Sequence, residues 1–232
     1  MNTASRFSWL TKILFPHYCL SCHKEGSLLC QTCEEQFLQT ITLKIQCLFC
    51  QKIHLSCVCK TSIPCITFCS YNNPLASQLL HLWKYQNIHE SGEMFLNILT
   101  QKSPSQFTTQ PTLFIPTPMN AMKQRLRGFS QSAIIAKHLA KITGNHHNSH
   151  LLTRNFRLRS QASLDVHQRY RNIKNSMRCK NPKKITNQRI IIVDDVITSG
   201  STVYEVIKTI TPHAPASIAV LAVLHGNNLD FW

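Results

Sequence analysis

The segment Ile190-Ile-Ile-Val-Asp-Asp-Val-Ile-Thr-Ser-Gly-Ser-Thr202 constrains the fold more than any other part of the chain. Its opening, Arg189 to Val193, is a run of β-branched residues short enough to be a strand buried on both faces, as in a parallel sheet. Two adjacent carboxylates, Asp194 and Asp195, follow the run, and a hydroxyl-and-glycine loop leads into a helical pattern from Thr202 to Ile210. Strand, tight loop and helix make one unit of an open α/β sheet, whose ligands sit at the carboxyl ends of the strands. The backbone N–H groups of Thr198, Ser199, Gly200, Ser201 and Thr202, at the positive end of the helix, suit a phosphate. Gly200 permits close backbone approach, and the hydroxyls add donors. Asp194 and Asp195, aimed outward from the same edge, suit the hydroxyls of a sugar, so a phosphate joined to a ribose diol fits both halves. An ordinary capped turn would leave the paired acids without a purpose. A phospho-acceptor receiver domain would carry its acid pair on the first strand, whereas this pair stands about 40 residues from the end of the chain.

Cysteine divides the chain. Ten of the 11 cysteines fall in residues 19 to 69, as Cys19-x2-Cys22, Cys30-x2-Cys33, Cys47-x2-Cys50, Cys57-x-Cys59, Cys65 and Cys69. A C-x2-C pair presents two thiolates from one turn to a single tetrahedral ion, and two pairs complete the four-thiolate shell of structural zinc. A disulfide framework needs an oxidising compartment, and the N-terminal stretch around Phe7, Trp9 and Phe15 lacks the continuous apolar core and small-residue cleavage site of an export signal. Consecutive pairing and interleaved pairing are both open. The short spacer of Cys57-x-Cys59 leaves Cys65 as a possible substitute ligand. This predicts a cysteine-rich zinc module over residues 1–69, and a cytoplasmic protein.

From residue 70 onward helices and strands alternate. Leu75, Leu79, Leu82, Trp83, Leu96, Ile98 and Leu99 keep helical spacing, interrupted from Gln86 to Gly92, which predicts two helices. A short strand over Thr112 to Ile115 ends at Pro116-Thr-Pro118. Helices are predicted over Ser130 to Ile142 and Leu164 to Met177, and a final strand over Ser217 to Leu224. The expected class is α/β, a parallel sheet with helices on both faces over residues 70–232. The 43% hydrophobic content excludes a disordered tail protein, and no apolar run approaches the length of a membrane span.

The charge is concentrated. Sixteen lysines and arginines and one acid, Asp165, lie between Met119 and Arg189, while the rest of the chain balances 9 basic against 9 acidic residues. Positive potential gathered in one segment implies a polyanionic partner, either nucleic acid or a phosphate-rich small molecule. Within it Arg154, Arg157, Arg159, Arg169, Arg171 and Lys174 are candidates to track the phosphates of single-stranded DNA. With few aromatic residues nearby, that binding should be salt-sensitive and poorly sequence-specific.

The strand–acid-pair–loop segment resembles the phosphoribosyl-pyrophosphate motif of type I phosphoribosyltransferases, and the whole chain resembles the ComF family. Three further blocks carry the likeness: Leu79-Leu-His-Leu-Trp-Lys-Tyr85; Ile115-Pro-Thr-Pro followed by Arg127-Gly-Phe-Ser-Gln131; and Gln161-x2-Leu164-x4-Arg169-x2-Asn172. The family joins a cysteine-pair zinc module to a type I phosphoribosyltransferase-like domain and is associated with DNA uptake in natural competence. Three positions depart from its pattern. Ser130 stands where Asn is usual, Lys123 where Arg is usual, and Cys57-x-Cys59 replaces a cleaner pair. Lysine for arginine keeps the charge but loses bidentate phosphate geometry.

What the resemblance implies is a site for phosphoribosyl pyrophosphate. The 5-phosphate would rest on Thr198 to Thr202, the ribose hydroxyls on Asp194 and Asp195 as catalytic residues, and the pyrophosphate on Lys123 and Arg127 with Mg²⁺ sharing its charge. Any chemistry would be loss of pyrophosphate through an oxocarbenium-like transition state, yet no residue stands out as a base for an acceptor and no nucleobase-binding hood is recognisable. Three functions follow: a competence factor contacting single-stranded DNA and a protein of the competence machinery, a salvage transferase, or a phosphoribosyl-pyrophosphate sensor without turnover. The cysteine module would hold its zinc through Cys19, Cys22, Cys30, Cys33, Cys47, Cys50, Cys57 and Cys59.

Overall fold

The computed structural model describes residues 18–53, 56–86, 88–103, 110–154 and 176–226. In chain order its elements are α1 (Gln31–Thr40), β1 (Lys44–Cys47), β2 (Pro64–Ser70), α2 (Pro74–Tyr85), α3 (His89–Lys102), β3 (Leu113–Pro116), α4 (Ala121–Arg127), α5 (Gln131–Thr143), β4 (His146–His147), β5 (Leu152–Arg154), β6 (Met177–Cys179), β7 (Arg189–Ile197), α6 (Ser201–Ile210) and β8 (Ser217–His225). Six strands form one mixed sheet in the order β1-β2-β8-β7-β3-β4. Only β1–β2 is antiparallel; the other four pairs are parallel. A separate antiparallel ribbon joins β5 and β6.

The sheet is organised around β7. Ile190 and Ile192 face one side and Ile191 and Val193 the other, all buried, which is why this stretch reads as an unbroken apolar run rather than an alternating one. Ile191 and Val193 join a cluster with α2, α3 and α5, whereas Ile190 and Ile192 join α6 and the β5–β6 ribbon. β7 runs four residues beyond its apolar core, because β8 continues to pair with it at Asp194↔Ala222, Val196↔Leu224 and Ile197↔His225. The two acids therefore belong to the strand, close to its carboxyl end.

The cysteine-rich segment is built into this sheet. β2 lies beside β8 and carries Cys65 and Cys69, both buried. The sequence division after residue 69 falls within this strand, one residue before its end. Cys65 is packed among the sheet's apolar residues, so it is not a substitute ligand.

Two elements orient the site from one face. Asn73 caps α2, its Oδ1 accepting from the N–H groups of Leu75 and Ala76 at 3.1 Å each, with Pro74 in the first turn. α2 ends at Tyr85 and α3 begins at His89, so the break is shorter than the sequence indicates and Gly92 lies inside α3. Trp83 is the reason: a Cβ on Gly92 would stand 2.5 Å from its indole ring. The same indole stacks on Phe95 at 6.0 Å and Phe129 at 6.4 Å. Trp83 thereby fixes the residues after it, Lys84 and Tyr85.

One expected helix is corrected at its end. Met177 starts β6 and pairs with Arg154, its side chain buried against the α6 side of the sheet; burial and strand pairing override local helix propensity there. The rest of that predicted helix, 164–175, lies outside the described residues.

Gly92→Ala is expected to lower stability by about 1–3 kcal/mol, the usual cost of overpacking, because the indole must move. Thermal or chemical denaturation would detect it, and an unchanged midpoint would contradict the packing described.

Candidate functional site

The cysteines assemble into two groups of four consecutive residues of that type. Cys19, Cys22, Cys30 and Cys33 form one, and Cys47, Cys50, Cys57 and Cys59 the other; within each group all four Sγ atoms lie within 4.8 Å of one another. A tetrahedral zinc with Zn–S bonds of about 2.3 Å has sulfur–sulfur edges of about 3.8 Å, so each group could hold one such ion. Consecutive pairing wins over interleaving because each group is one local structure, and the two are copies of each other. Cys19 N–H donates to Lys24 O and His23 N–H to Cys19 O; Cys47 N–H donates to Lys52 O and Gln51 N–H to Cys47 O. His23 and Gln51 both adopt left-handed backbone, at φ 59 and 58. The fourth pair works despite its short spacer, since Cys59 N–H reaches Cys57 Sγ at 3.3 Å and closes the turn.

The thiols cannot all ionise unaided. Burial opposes ionisation of Cys47, but the Cys50 N–H, the Cys57 thiol and the Phe49 N–H outweigh it and hold the group down at about 6. Hydrogen bonds that its thiol donates to Cys57 and Cys50, with burial, push Cys59 up to about 12. A divalent cation would remove this conflict, because four thiolates need a counter-charge.

The second assembly lies at the carboxyl edge of β7 and β3. Gly200 stands at φ 64, a left-handed turn that a side chain would strain, and it opens α6. No side chain caps that helix, which leaves the first-turn N–H groups facing the loop. Ser199 and Ser201 hydroxyls lie 2.9 Å apart, and Thr198 is exposed. Gly226 backs the loop, its N–H donating to Ile197 O at 2.7 Å. Thr198, Ser199, Gly200, Ser201 and Thr202 are thus brought together as the sequence predicts, beside the acid pair.

Asp194 and Asp195 take different partners. Ser132, in the first turn of α5, donates to Asp194 Oδ1 at 3.1 Å, and Thr117 donates to Ser132 Oγ at 3.1 Å. The Asp195 N–H donates to the same carboxylate at 2.9 Å. Asp195 itself is ion-paired with Lys84 from α2. Burial and the neighbouring Asp195 charge raise Asp194 from 3.8 to about 7, against the opposing pull of Lys84 and Thr117.

Arg127, at the end of α4, lies over the Tyr85 ring at 4.9 Å, so the residue next to Lys84 also holds the guanidinium. Lys123 lies in the same helix, with its side chain outside what the structure describes. Arg154 ends β5; burial lowers its pKa while the Asp194 charge opposes that shift. Arg157, Arg159, Arg169, Arg171 and Lys174 lie outside the described residues. Sequence reasoning missed Lys84, Thr117 and Ser132 as members of the site. Lys84 stood in plain view in the Leu-Trp-Lys-Tyr motif, but its sequence distance from Asp195 hid the pairing.

The family model for the phosphoribosyl transferase domain matches residues 129–229, the stretch that carries β7, the loop and α6. The DNA utilization protein YhgH of Salmonella typhimurium is 27% identical over 220 residues, covering 88% of this chain and 95% of that one. The protein of the same name in Escherichia coli is 28% identical with the same coverage. Competence protein F of Haemophilus influenzae is 28% identical over 144 residues, 60% of this chain and 62% of its own length.

The named relatives, the phosphoribosyl transferase match and the cysteine clusters at the N-terminal end all fit a ComF-type protein. Residues 129–229 match the phosphoribosyl transferase domain, the described strands form a mostly parallel mixed sheet, and the cysteine clusters at the N-terminal end could bind zinc. Among the described residues no helix is long and apolar enough to cross a membrane.

Two outcomes test these two assemblies. The purified chain is expected to carry two zinc ions, one per cysteine group, and Cys22→Ser and Cys50→Ser each to lose one by elemental analysis. For Asp194 the native state holds its proton more tightly than the unfolded chain, so its contribution falls as pH rises from about 4 through about 7. Each unit of such a shift corresponds to about 1.4 kcal/mol. Asp194→Asn should therefore gain thermal stability over the native chain at pH 8 relative to pH 5; a gap that narrows instead would contradict the environment described.

Proposed function

We propose that this chain binds phosphoribosyl pyrophosphate at the carboxyl edge of β7 and acts in DNA utilisation and uptake, contacting single-stranded DNA in the cytoplasm. The observation that carries the reading is the acid pair standing directly before an uncapped helix start with a left-handed glycine. A sugar phosphate satisfies both: its 5-phosphate accepts from the N–H groups of Ser199 to Thr202, and its ring hydroxyls donate to Asp194 and Asp195. The names of the relatives, DNA utilization protein and Competence protein F, support the DNA side of the reading.

The division of labour follows from the partners. Lys84 balances the charge of Asp195 and fixes its direction. Asp194, held by Ser132, accepts from the second hydroxyl. Arg127, steadied on Tyr85, faces the pyrophosphate, and the family resemblance assigns Lys123 to the same group. Two cations do not balance that group's charge, and Mg²⁺ beside Arg127 and Lys123 would supply the remaining neutralisation of the leaving group. As the bond from the anomeric carbon to pyrophosphate opens, positive charge grows on the ribose ring beside the carboxylates, an arrangement that favours the transition state over the ground state. The cysteine groups take structural zinc and present a surface to a protein of the uptake machinery.

Calorimetric titration with phosphoribosyl pyrophosphate and Mg²⁺ tests the reading. The native chain is expected to bind. Asp194→Ala/Asp195→Ala is expected to weaken binding at least about tenfold, roughly 1.4 kcal/mol, with retention of single-stranded DNA unchanged. Equal affinity in the double variant would overturn it, and pyrophosphate release on adding an acceptor would mark turnover rather than sensing.

A further inference from the structure

A second concavity at the same sheet edge lies apart from the phosphate loop. Its volume is about 440 Å³. Pro116, Thr117 and Pro118 form the floor, at the end of β3. Ser130, Ala133, Ile134 and Lys137 form one wall, at positions i, i+3, i+4 and i+7 of a single helical stripe. The β5–β6 ribbon forms the facing wall through Leu152, Thr153, Arg154 and Lys180. None of Thr198 to Thr202 lines it, nor do Asp194, Asp195 or Arg127.

The lining has one sign of charge. Lys137, Arg154 and Lys180 are cationic, His147 and His150 add imidazoles, and no carboxylate is among the described lining residues. Three cations with no carboxylate among the described lining residues favour an anion. The size exceeds what a bare phosphate needs and falls within the ~300–1,000 Å³ usual for small organic ligands. The rest of the lining mixes apolar residues with hydroxyl and amide groups, and Pro118, Met119, Ile134 and Leu152 offer a surface on which a flat ring can lie. A nucleotide joins an anion to a flat ring in this way.

We propose that this cavity takes one nucleotide unit, its base against Pro118, Met119 and Ile134 and its phosphate on Lys137, Arg154 and Lys180. The proposal rests on the reading above only in assigning phosphoribosyl pyrophosphate to the other side of Thr117. That residue separates the two: it lines the cavity and its hydroxyl leads through Ser132 to Asp194. A free mononucleotide and a nucleotide within a single strand offer the same chemistry, and the test separates them.

Lys137 and Lys180 are exposed, so Lys137→Glu/Lys180→Glu should fold; a thermal melt confirms it. Binding of a fluorescent oligothymidylate is followed by anisotropy across salt concentrations, with thymidine monophosphate as competitor and phosphoribosyl pyrophosphate titrated in parallel. The charge reversal is expected to weaken oligonucleotide binding at least about tenfold at low salt and to reduce the salt slope by about 0.7 for each phosphate that is no longer neutralised, with phosphoribosyl pyrophosphate affinity within about twofold. Arg154→Gln should act in the same direction. Competition by the mononucleotide on the native chain, abolished in the variant, supports a free nucleotide as occupant; an oligonucleotide effect without competition supports the strand. Unchanged oligonucleotide and mononucleotide binding in the variant overturns the proposal, as does a native chain that binds neither. Loss of phosphoribosyl pyrophosphate with oligonucleotide binding kept also overturns it, since the cavity then belongs to the sugar-phosphate site. A native chain that binds nucleotide but no phosphoribosyl pyrophosphate would sink the preceding reading and leave this one standing.

Discussion

Two neighbouring carboxylates near the end of a buried strand are the feature around which the rest of the molecule is arranged. Asp194 and Asp195 lie at the end of an otherwise apolar β7, where uncompensated charge is costly. One is balanced by Lys84, the other by hydroxyl and N–H donors. For Lys84 to reach Asp195, α2 must end over the strand, and its position is set by Trp83 lying on Gly92, Phe95 and Phe129. The Leu-Trp-Lys-Tyr and Arg-Gly-Phe motifs, 42 residues apart from Tyr85 to Arg127, thus meet at one point because an aromatic stack and a cation–π contact join them.

The cysteine groups belong to the same construction. β1 leads from one group into the other and pairs with β2, and β2 pairs with β8, the neighbour of β7. Whatever stabilises the cysteine groups therefore stabilises one flank of the sheet that carries the acids. Because the two groups repeat one hydrogen-bond pattern with the left-handed residue in the same place, each closes on its own, without the long loop closures that interleaved pairing would need.

Much of this was legible in the sequence. β7, α6 and β8 follow from uninterrupted apolar runs and helical periodicity, and the loop between β7 and α6 follows from Gly200 among hydroxyl residues. The clustering of eight cysteines was legible from spacing, but their partition was not, since both pairings satisfy the count. Less legible were features that depend on residues distant in the chain. β2 reads as part of a cysteine-rich tail until its pairing with β8 is known. Met177 carries a helix-compatible residue type into a strand because burial beside Leu152 outweighs propensity. Lys84 looks like one more cation in a motif until the ion pair places it. The cavity beside β3 assembles from four separate stretches of chain, and only the Pro-Thr-Pro and Arg-Gly-Phe-Ser-Gln blocks among them read as motifs.

The central claim is that a sugar phosphate rests on the N–H groups between Thr198 and Thr202 with its ring hydroxyls toward the acid pair. Backbone amide resonances of the ¹⁵N-labelled protein, followed as ribose 5-phosphate is added, address it most directly. The account predicts saturable shifts at Ser199, Gly200, Ser201 and Thr202, with smaller ones at Asp195. Shifts confined to other parts of the molecule, with those amides unmoved at saturation, would contradict it.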